Sequence, residues 1–190
     1  MEGHGKSFFL GVSIDYHPDG DRLVTAGADG TARIWDSETG EELYVLDKHT
    51  AGLTSVTFSP DGRYLATSQA SGKPFNVDTS PGPVRIWDAE TGQIRFSFES
   101  GHGDSIWELA FSPDGRFLAT ASGDGTIRLW AMDFGAGSAE RKATLAGRPI
   151  GVLRATFSPD GRTSATSTGS EVRPRIDSST GAPNEIFGTK

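Results

Sequence analysis

The stretch GHGDSIWELAFSPDGRFLATASGDGTIRLW, residues 101–130, holds the features that decide the fold of this chain. At its centre stands FSPDG (residues 111–115), which recurs at residues 58–62 and 157–161, with a near copy, YHPDG, at residues 16–20. In such a turn, proline presets φ, aspartate can bond its own backbone, and glycine accepts a positive φ without steric cost. The pentapeptide therefore predicts a hairpin corner that the chain uses four times.

The turn prolines divide the chain into four similar units. They are Pro18, Pro60, Pro113 and Pro159, at spacings of 42, 53 and 46 residues. After each proline comes a short apolar segment (LVT, LAT, LAT or SAT), and in the first three copies a further segment reads ARIWD, VRIWD or IRLWA. Short alternating segments between turn residues are typical of antiparallel strands, and no stretch fits a helix. Each copy is predicted to form a small antiparallel sheet.

The copies differ in length at two places. From Thr67 to Trp87 there are 20 residues, whereas the matching intervals in copies one and three are 10, so copy two carries a 10-residue insertion. Copy three has its extra length after Trp130, in MDFGAGSAE. Both insertions are predicted to lie between strands.

A period of about 40–45 residues with four strands and a Gly-His to Trp-Asp signature is typical of the WD40 repeat. The stretch of residues 101–130, together with the Trp-Asp pairs at residues 35–36 and 87–88, makes the chain resemble the WD40 β-propellers over essentially its whole length. The resemblance implies an all-β fold of four four-stranded antiparallel blades, a half or partial propeller. We expect one domain, residues 1–190, with repeats at approximately 3–47, 48–100, 101–146 and 147–190.

In WD40 blades a histidine, a threonine or serine, an aspartate and a tryptophan form a hydrogen-bonded tetrad. By resemblance, the tetrad residues are His102, Thr120, Asp124 and Trp130 in copy three, Thr25, Asp29 and Trp35 in copy one, and His49, Thr67 and Trp87 in copy two. His4 lies three residues too far from its turn proline to match, and Pro81 falls where copy two needs its aspartate. Recurrence in successive copies favours a structural role over a hydrolase triad. We therefore predict no catalytic residue and no enzymatic activity.

The resemblance also implies that the turns before the first strand and after the second strand share one face, the usual binding face of the family. The insertion of copy two, with Lys73, Phe75 and Asn76, is predicted to project there. Trp107 stands where the other copies have Val12, Thr54 and Leu153. Loops on rigid scaffolds often carry recognition, and tryptophan is enriched in interface hot spots. We take these four residues as candidate partner-binding residues; the alternative is a disordered insertion and a ring buried between blades.

The composition of the chain limits the classes of partner that it can bind. The formal net charge is −7, which argues against nucleic acids and acidic membranes, because both bind basic surfaces. There is no cysteine, hence no disulfide or thiolate zinc site, and the four histidines do not suggest a metal centre. We expect a cytoplasmic protein without cofactor or metal whose partner is a protein or peptide.

The fourth copy departs from the pattern at several positions. Ser164 replaces the strand leucine, Ser170 the aspartate, Ile176 the tryptophan and Arg148 the histidine. Pro174 lies inside a predicted strand, where it removes a ladder donor, so that strand is expected at an edge or badly formed. This copy has the polar character of a capping repeat.

Four blades are few for a propeller of this type, and an open array exposes a sheet flank. One hypothesis is that two chains join about a two-fold axis into an eight-bladed ring. The alternative is that the chain is a fragment of a longer propeller. The leading functional hypothesis is a non-enzymatic interaction scaffold. The rivals are an enzyme or small-molecule binder that uses the central channel, and a purely structural half-ring.

Overall fold

The structure is a computed structural model that describes residues 4, 13–70, 81–146, 154–161, 164–168 and 171–175. These residues form fifteen strands in four antiparallel sheets, and no helix occurs among them. Each sheet consists of antiparallel strands that are consecutive in the chain, each paired with its neighbour in sequence. The repeated turn residues of the sequence therefore become the corners of a series of meanders, which we call blades one to four.

Blades one and two have the same strand order. Blade one comprises β1 (Ser13–Tyr16), β2 (Arg22–Ala26), β3 (Ala32–Asp36) and β4 (Glu42–Leu46). Blade two comprises β5 (Leu53–Phe58), β6 (Tyr64–Gln69), β7 (Val84–Asp88) and β8 (Ile94–Phe98). In both, the first strand lies at one edge and the fourth at the other.

Blade three repeats this arrangement, whereas blade four is described only in part. Blade three comprises β9 (Ile106–Phe111), β10 (Phe117–Ser122), β11 (Thr126–Asp133) and β12 (Ser138–Ala146). Blade four contains β13 (Arg154–Phe157), β14 (Ser164–Thr168) and β15 (Glu171–Arg175). The predicted four-stranded blade is therefore seen three times. Blade four has three strands in its described part, and the segment after β15, where a fourth strand was expected, lies outside the described residues.

The pentapeptide forms the hairpin corner that the sequence predicts. In each copy the glycine N–H donates to the carbonyl three residues earlier, as from Gly62 N to Ser59 O at 2.8 Å. All four turn glycines have positive φ, between 68° and 77°. Side chains also close the corner of blade two. Asp61 accepts hydrogen bonds from Ser59 Oγ and from the backbone N–H of Arg63, and Ser59 Oγ accepts one from the backbone N–H of Tyr64. The conformation of the turn is thus fixed by bonds among its own residues. The turn lies at one end of the blade, which we call the lower end.

The core lies between blades. Each blade has a trailing face of small and aliphatic side chains and a leading face that carries the tryptophan. The trailing face of blade one (Val24, Ala26, Ala32, Ile34 and Leu46) packs on the leading face of blade two (Val56, Phe58, Leu65 and Trp87). Blades two and three meet in the same way around Trp130, and blades three and four around Ala155. Because adjacent faces interlock, no single blade has a complete core of its own.

The extra length of copy three is used differently from what the sequence predicts. We expected it between strands, but β11 and β12 have eight and nine residues, against five for their counterparts in blade one. The lengthened hairpin carries Phe134, whose ring stacks on Tyr64 of blade two at 4.0 Å between centroids and 3° between planes. The insertion thereby braces blade three against blade two.

In blade four, Pro174 lies in β15 and is paired in register with Ala165 of β14. Within the described residues β15 is the edge strand of its sheet, the position that the sequence analysis assigned to a strand containing proline. Ile176, Ser170 and Arg148 lie outside the described residues.

Candidate functional site

The tetrad residues of blade three are brought together in one chain of hydrogen bonds. His102 Nε2 lies 2.7 Å from Thr120 Oγ1, and Trp130 Nε1 donates to the same hydroxyl at 3.2 Å. His102 Nδ1 lies 3.0 Å from Asp124 Oδ2. A neutral His102 fits this arrangement, because Nδ1–H donates to the carboxylate while Nε2 accepts from the threonine.

The electrostatics of this tetrad agree with a neutral histidine beside an ionised aspartate. Burial lowers the pKa of His102, although Asp124 opposes this. Burial raises the pKa of Asp124, but hydrogen bonds from Thr126, Gly103 and His102 outweigh it and lower that pKa to about 2. The network is satisfied at each of its atoms and ties the turn before β9 to the turn after β10.

Blade one contains the same tetrad, which corrects the sequence analysis. His4 Nε2 lies 2.7 Å from Thr25 Oγ1, His4 Nδ1 lies 3.2 Å from Asp29 Oδ1, and Trp35 Nε1 donates to Thr25 at 2.8 Å. The expectation that His4 is out of position was wrong. Counting residues from the turn assumes a constant loop length, whereas the contact requires only that His4 reach Thr25.

In its described part, blade two holds an incomplete tetrad. His49 Nε2 and Trp87 Nε1 both lie 2.8 Å from Thr67 Oγ1. Among the described residues, however, no side chain bonds His49 Nδ1, the buried atom that meets an aspartate in the other two tetrads. Burial and the charge of Arg85 lower the pKa of His49 to about 4, so the ring is neutral at pH 7. This agrees with the sequence, which has Pro81 in the place of the aspartate.

The tetrads do not have the properties of a catalytic site. Thr120, the residue that would be the nucleophile, is fully buried, and its hydroxyl already joins a histidine and a tryptophan. His102 is buried as well. A hydrolase triad needs a nucleophile that substrate can reach. In blades one and three the tetrads instead tie the turn before the first strand to the turn after the second strand.

The first strands of the blades lie side by side and form the inner wall of the array. Ser13 Oγ of β1 accepts from Val56 N of β5 at 3.2 Å, and Ser55 Oγ of β5 accepts from Leu109 N of β9 at 3.1 Å. The two serines occupy equivalent positions, five residues before their turn prolines. One small hydroxyl is therefore enough to link each inner strand to the next.

A cleft of about 390 Å³ runs along this inner wall between β1, β5, β9 and β13. We call it the axial cleft. Trp107 lines it and is 38% exposed, so its ring is not buried between blades. Ile106 pairs with Ser122 and Glu108 with Ala121, which leaves Trp107 as the extra residue of a β-bulge. Blade two has the same bulge at Thr54, whose smaller side chain is buried, so it is the size of its side chain that sets Trp107 apart.

Trp107 lies at the upper end of the axial cleft. A Cβ added to Gly123, in the turn after β10, would lie 2.9 Å from Trp107 Nε1 and 2.6 Å from Asp104 Oδ2. The missing side chain thus makes room for the ring beside Asp104. The other candidate binding residues, Lys73, Phe75 and Asn76, lie outside the described residues. Sequence reasoning missed Glu108, Arg154 and Asp15, which also line the cleft.

The leading face of blade one is partly open. Leu23 and Trp35 on this face are buried, whereas Ile14 and Tyr16 of β1 are 59% and 58% exposed. The equivalent residues of blade two, Val56 and Phe58, are 3% and 5% exposed because blade one covers them. Near the axis, blade one therefore presents the apolar surface that other blades bury against a neighbour.

The described part of the chain lacks two other kinds of feature, a metal cluster and a membrane-spanning helix. Among the described residues there is no group of three or more metal-binding side chains. The same residues include no helix with the length and apolar character that a membrane span requires.

Hairpin meanders that stack face to face, with a tryptophan between blades and a His-Thr-Asp network above it, define a β-propeller of the WD-repeat class. The sequence profile of the WD40 family (WD domain, G-beta repeat) matches residues 1–36, 40–73 and 92–131, more than half of the chain. The chain belongs to the WD40 repeat family. Proteins of this family generally serve as scaffolds for protein interactions.

Relatives from distant eukaryotes share this similarity. Over 163 residues the chain is 31% identical to WD repeat-containing protein SL1-17 of Schistosoma mansoni, covering 68% of the chain and 52% of the relative. It is 32% identical to a guanine nucleotide-binding protein subunit beta of Arabidopsis thaliana, over 63% of the chain and 31% of that relative. It is 36% identical to human Coronin-7, over 59% of the chain and 12% of that relative. The chain thus spans about half or less of the length of the curated relatives it matches.

Proposed function

We propose that this chain is a non-enzymatic scaffold that binds a protein or peptide at the upper end of the axial cleft. The observation that carries the proposal is Trp107, a large ring that lines the cleft at a position where blade two has Thr54, while the other three tryptophans are buried. Exposed tryptophans beside a cleft are frequent interface anchors. Phe75, Lys73 and Asn76 are proposed from the sequence as further contacts on the same face.

A capture experiment with matched variants tests this proposal. In Trp107→Thr the ring is replaced by the residue that blade two has at this position, Thr54. Immobilised wild-type and variant proteins are incubated with a cell extract. Each captured protein is then purified and titrated against the wild-type protein and the variant. We expect Trp107→Thr to weaken binding by about 2 kcal/mol or more, the loss typical of a hot-spot residue.

The control for this experiment is Tyr44→Thr, which removes an exposed ring from the outer strand β4, far from the cleft. It should leave binding unchanged. Equal capture by wild-type protein and Trp107→Thr would contradict the proposed binding face. A purely structural module, one of the alternatives, predicts this equal capture.

We further propose that a second copy of the chain covers the open part of blade one, giving an eight-bladed ring. The support is the exposure of Ile14 and Tyr16, because their counterparts in blade two are buried by a preceding blade. An apolar strip on a sheet flank is a liability unless a partner covers it. The alternative is that further blades of a longer polypeptide do so, which the partial coverage of the relatives favours.

A further inference from the structure

Two adjacent positions of blade three differ from the pattern of blades one and two. Five residues before the turn proline, blades one and two have Ser13 and Ser55, each of which bonds the backbone of the next inner strand. Blade three has Glu108 there, and blade four has Arg154. The preceding position holds Trp107 in blade three and Thr54 in blade two. In blades one and two a serine is enough to link one inner strand to the next, and in blade two a threonine fills the preceding position. The fold therefore requires neither the carboxylate of Glu108 nor the large ring of Trp107.

Glu108 is a carboxylate that a cation can reach from the axial cleft. Its side chain is 27% exposed, and Arg154 Nη1 lies 3.5 Å from Glu108 Oε2. The pKa of Glu108 lies above its usual value, mainly because of burial; the charge of Arg154 opposes this shift and the charge of Asp15 adds to it. Asp15 itself accepts hydrogen bonds from Thr57 Oγ1 and Phe58 N, so its carboxylate is committed to linking β1 with β5.

The chain's own Arg154 shows that a guanidinium can lie against Glu108. Arg154 is 77% exposed, and a pair between such an exposed side chain and a carboxylate is weak, because water screens the charges and the long side chain loses conformational freedom. A guanidinium from outside, placed beside the Trp107 ring as well, would add a cation–π contact. A guanidinium of a partner could therefore displace Arg154 from Glu108.

We propose that the axial cleft binds an arginine side chain of a partner polypeptide, which pairs with Glu108, lies beside Trp107 and displaces Arg154. The proposal rests on the function proposed above and names the chemistry of the partner. The net charge of −7 favours the approach of a basic segment. A further carboxylate, Asp104, lies close to Trp107 at Gly123, although it does not line the cleft itself.

The test is a titration with the peptide acetyl-Gly-Arg-Gly-amide, followed through the indole N–H resonances of the four tryptophans in ¹⁵N–¹H spectra. We expect the Trp107 resonance, assigned by its loss in Trp107→Thr, to shift saturably, while the resonances of the three buried indoles stay in place. Glu108→Gln should weaken binding about tenfold, and Arg154→Ser should strengthen it about threefold, because it removes the internal competitor.

Two controls make the result specific. Glu108→Ser introduces the residue of blades one and two and should lose binding as Glu108→Gln does, with an unchanged fold. Glu140→Gln removes one charge from the outer strand β12 and should change the dissociation constant by less than about twofold. A matched peptide with glutamate in place of arginine should not bind.

Equal weakening by Glu108→Gln and Glu140→Gln, or weaker binding by Arg154→Ser, would overturn the arginine site. These outcomes are distinct from failure of the proposed function. If Trp107→Thr abolishes capture of a partner while the arginine peptide leaves the Trp107 resonance unmoved, the binding face stands and its assignment to arginine is wrong.

Discussion

Replacing Trp87 by alanine is expected to lower the free energy of unfolding by about 3–5 kcal/mol, the usual cost of truncating a buried tryptophan. The ring is 1% exposed and packs with Leu65 and Phe58 against the trailing face of blade one. Its Nε1–H donates to Thr67 Oγ1, so the variant also leaves the tetrad of blade two without this donor. Urea unfolding followed by circular dichroism measures the loss.

The matched control for Trp87→Ala is Trp107→Ala. It removes the same side chain from the inner wall, where the ring is partly exposed and belongs to no core cluster of the described residues. Its cost should stay below about 1 kcal/mol, as for most surface substitutions. If the two variants lost similar stability, tryptophans would not be the contacts that join the blades.

Gly62→Ala is expected to cost about 2–5 kcal/mol, more than the same change at the equivalent Gly20. Both glycines have positive φ, 70° and 77°, so alanine pays about 1–2 kcal/mol for the left-handed backbone at either position. At Gly62 a Cβ would also lie 2.2 Å from His17 Nε2, whereas at Gly20 it would meet nothing within 4 Å. Overpacking of this kind adds about 1–3 kcal/mol.

A double variant isolates the steric part of this effect. His17 stands where the other three turns have serine, and its buried ring lies against the turn of blade two. His17→Ser should therefore make Gly62→Ala about as costly as Gly20→Ala. Thermal unfolding of wild-type protein, the three single variants and the double variant would show this. Equal costs of Gly62→Ala with and without His17 would mean that the contact between the two turns does not limit the packing of blades one and two.

Much of the fold could be predicted from the repeat because its signals are local. Proline, aspartate and glycine determine each corner within five residues, and strand alternation determines which side chains face a neighbouring blade. The lengthened hairpin was missed for the opposite reason. Phe134 is ordered by Tyr64, 70 positions away in the chain, and no local pattern predicts such a contact.

The candidate site was less predictable than the fold. Trp107 stood out because other copies have smaller residues, but its exposure in a cleft between four inner strands depends on how the blades stack. Comparison of equivalent positions would also have identified Glu108 and Arg154, since Ser13 and Ser55 are the pattern from which they depart. His4 was misjudged because loop length was treated as fixed, although the hydrogen bonds require only that the histidine arrive at Thr25.

The most direct test of the central claim, that the open part of blade one needs the trailing face of another blade, is the solution mass by light scattering. For wild-type protein we predict about 40 kDa, twice the chain mass of 20.1 kDa, because a second copy covers Ile14 and Tyr16. The variant Ile14→Glu with Tyr16→Glu should remain at 20.1 kDa. A wild-type protein that stays at 20.1 kDa at the same concentration would contradict closure by a second copy.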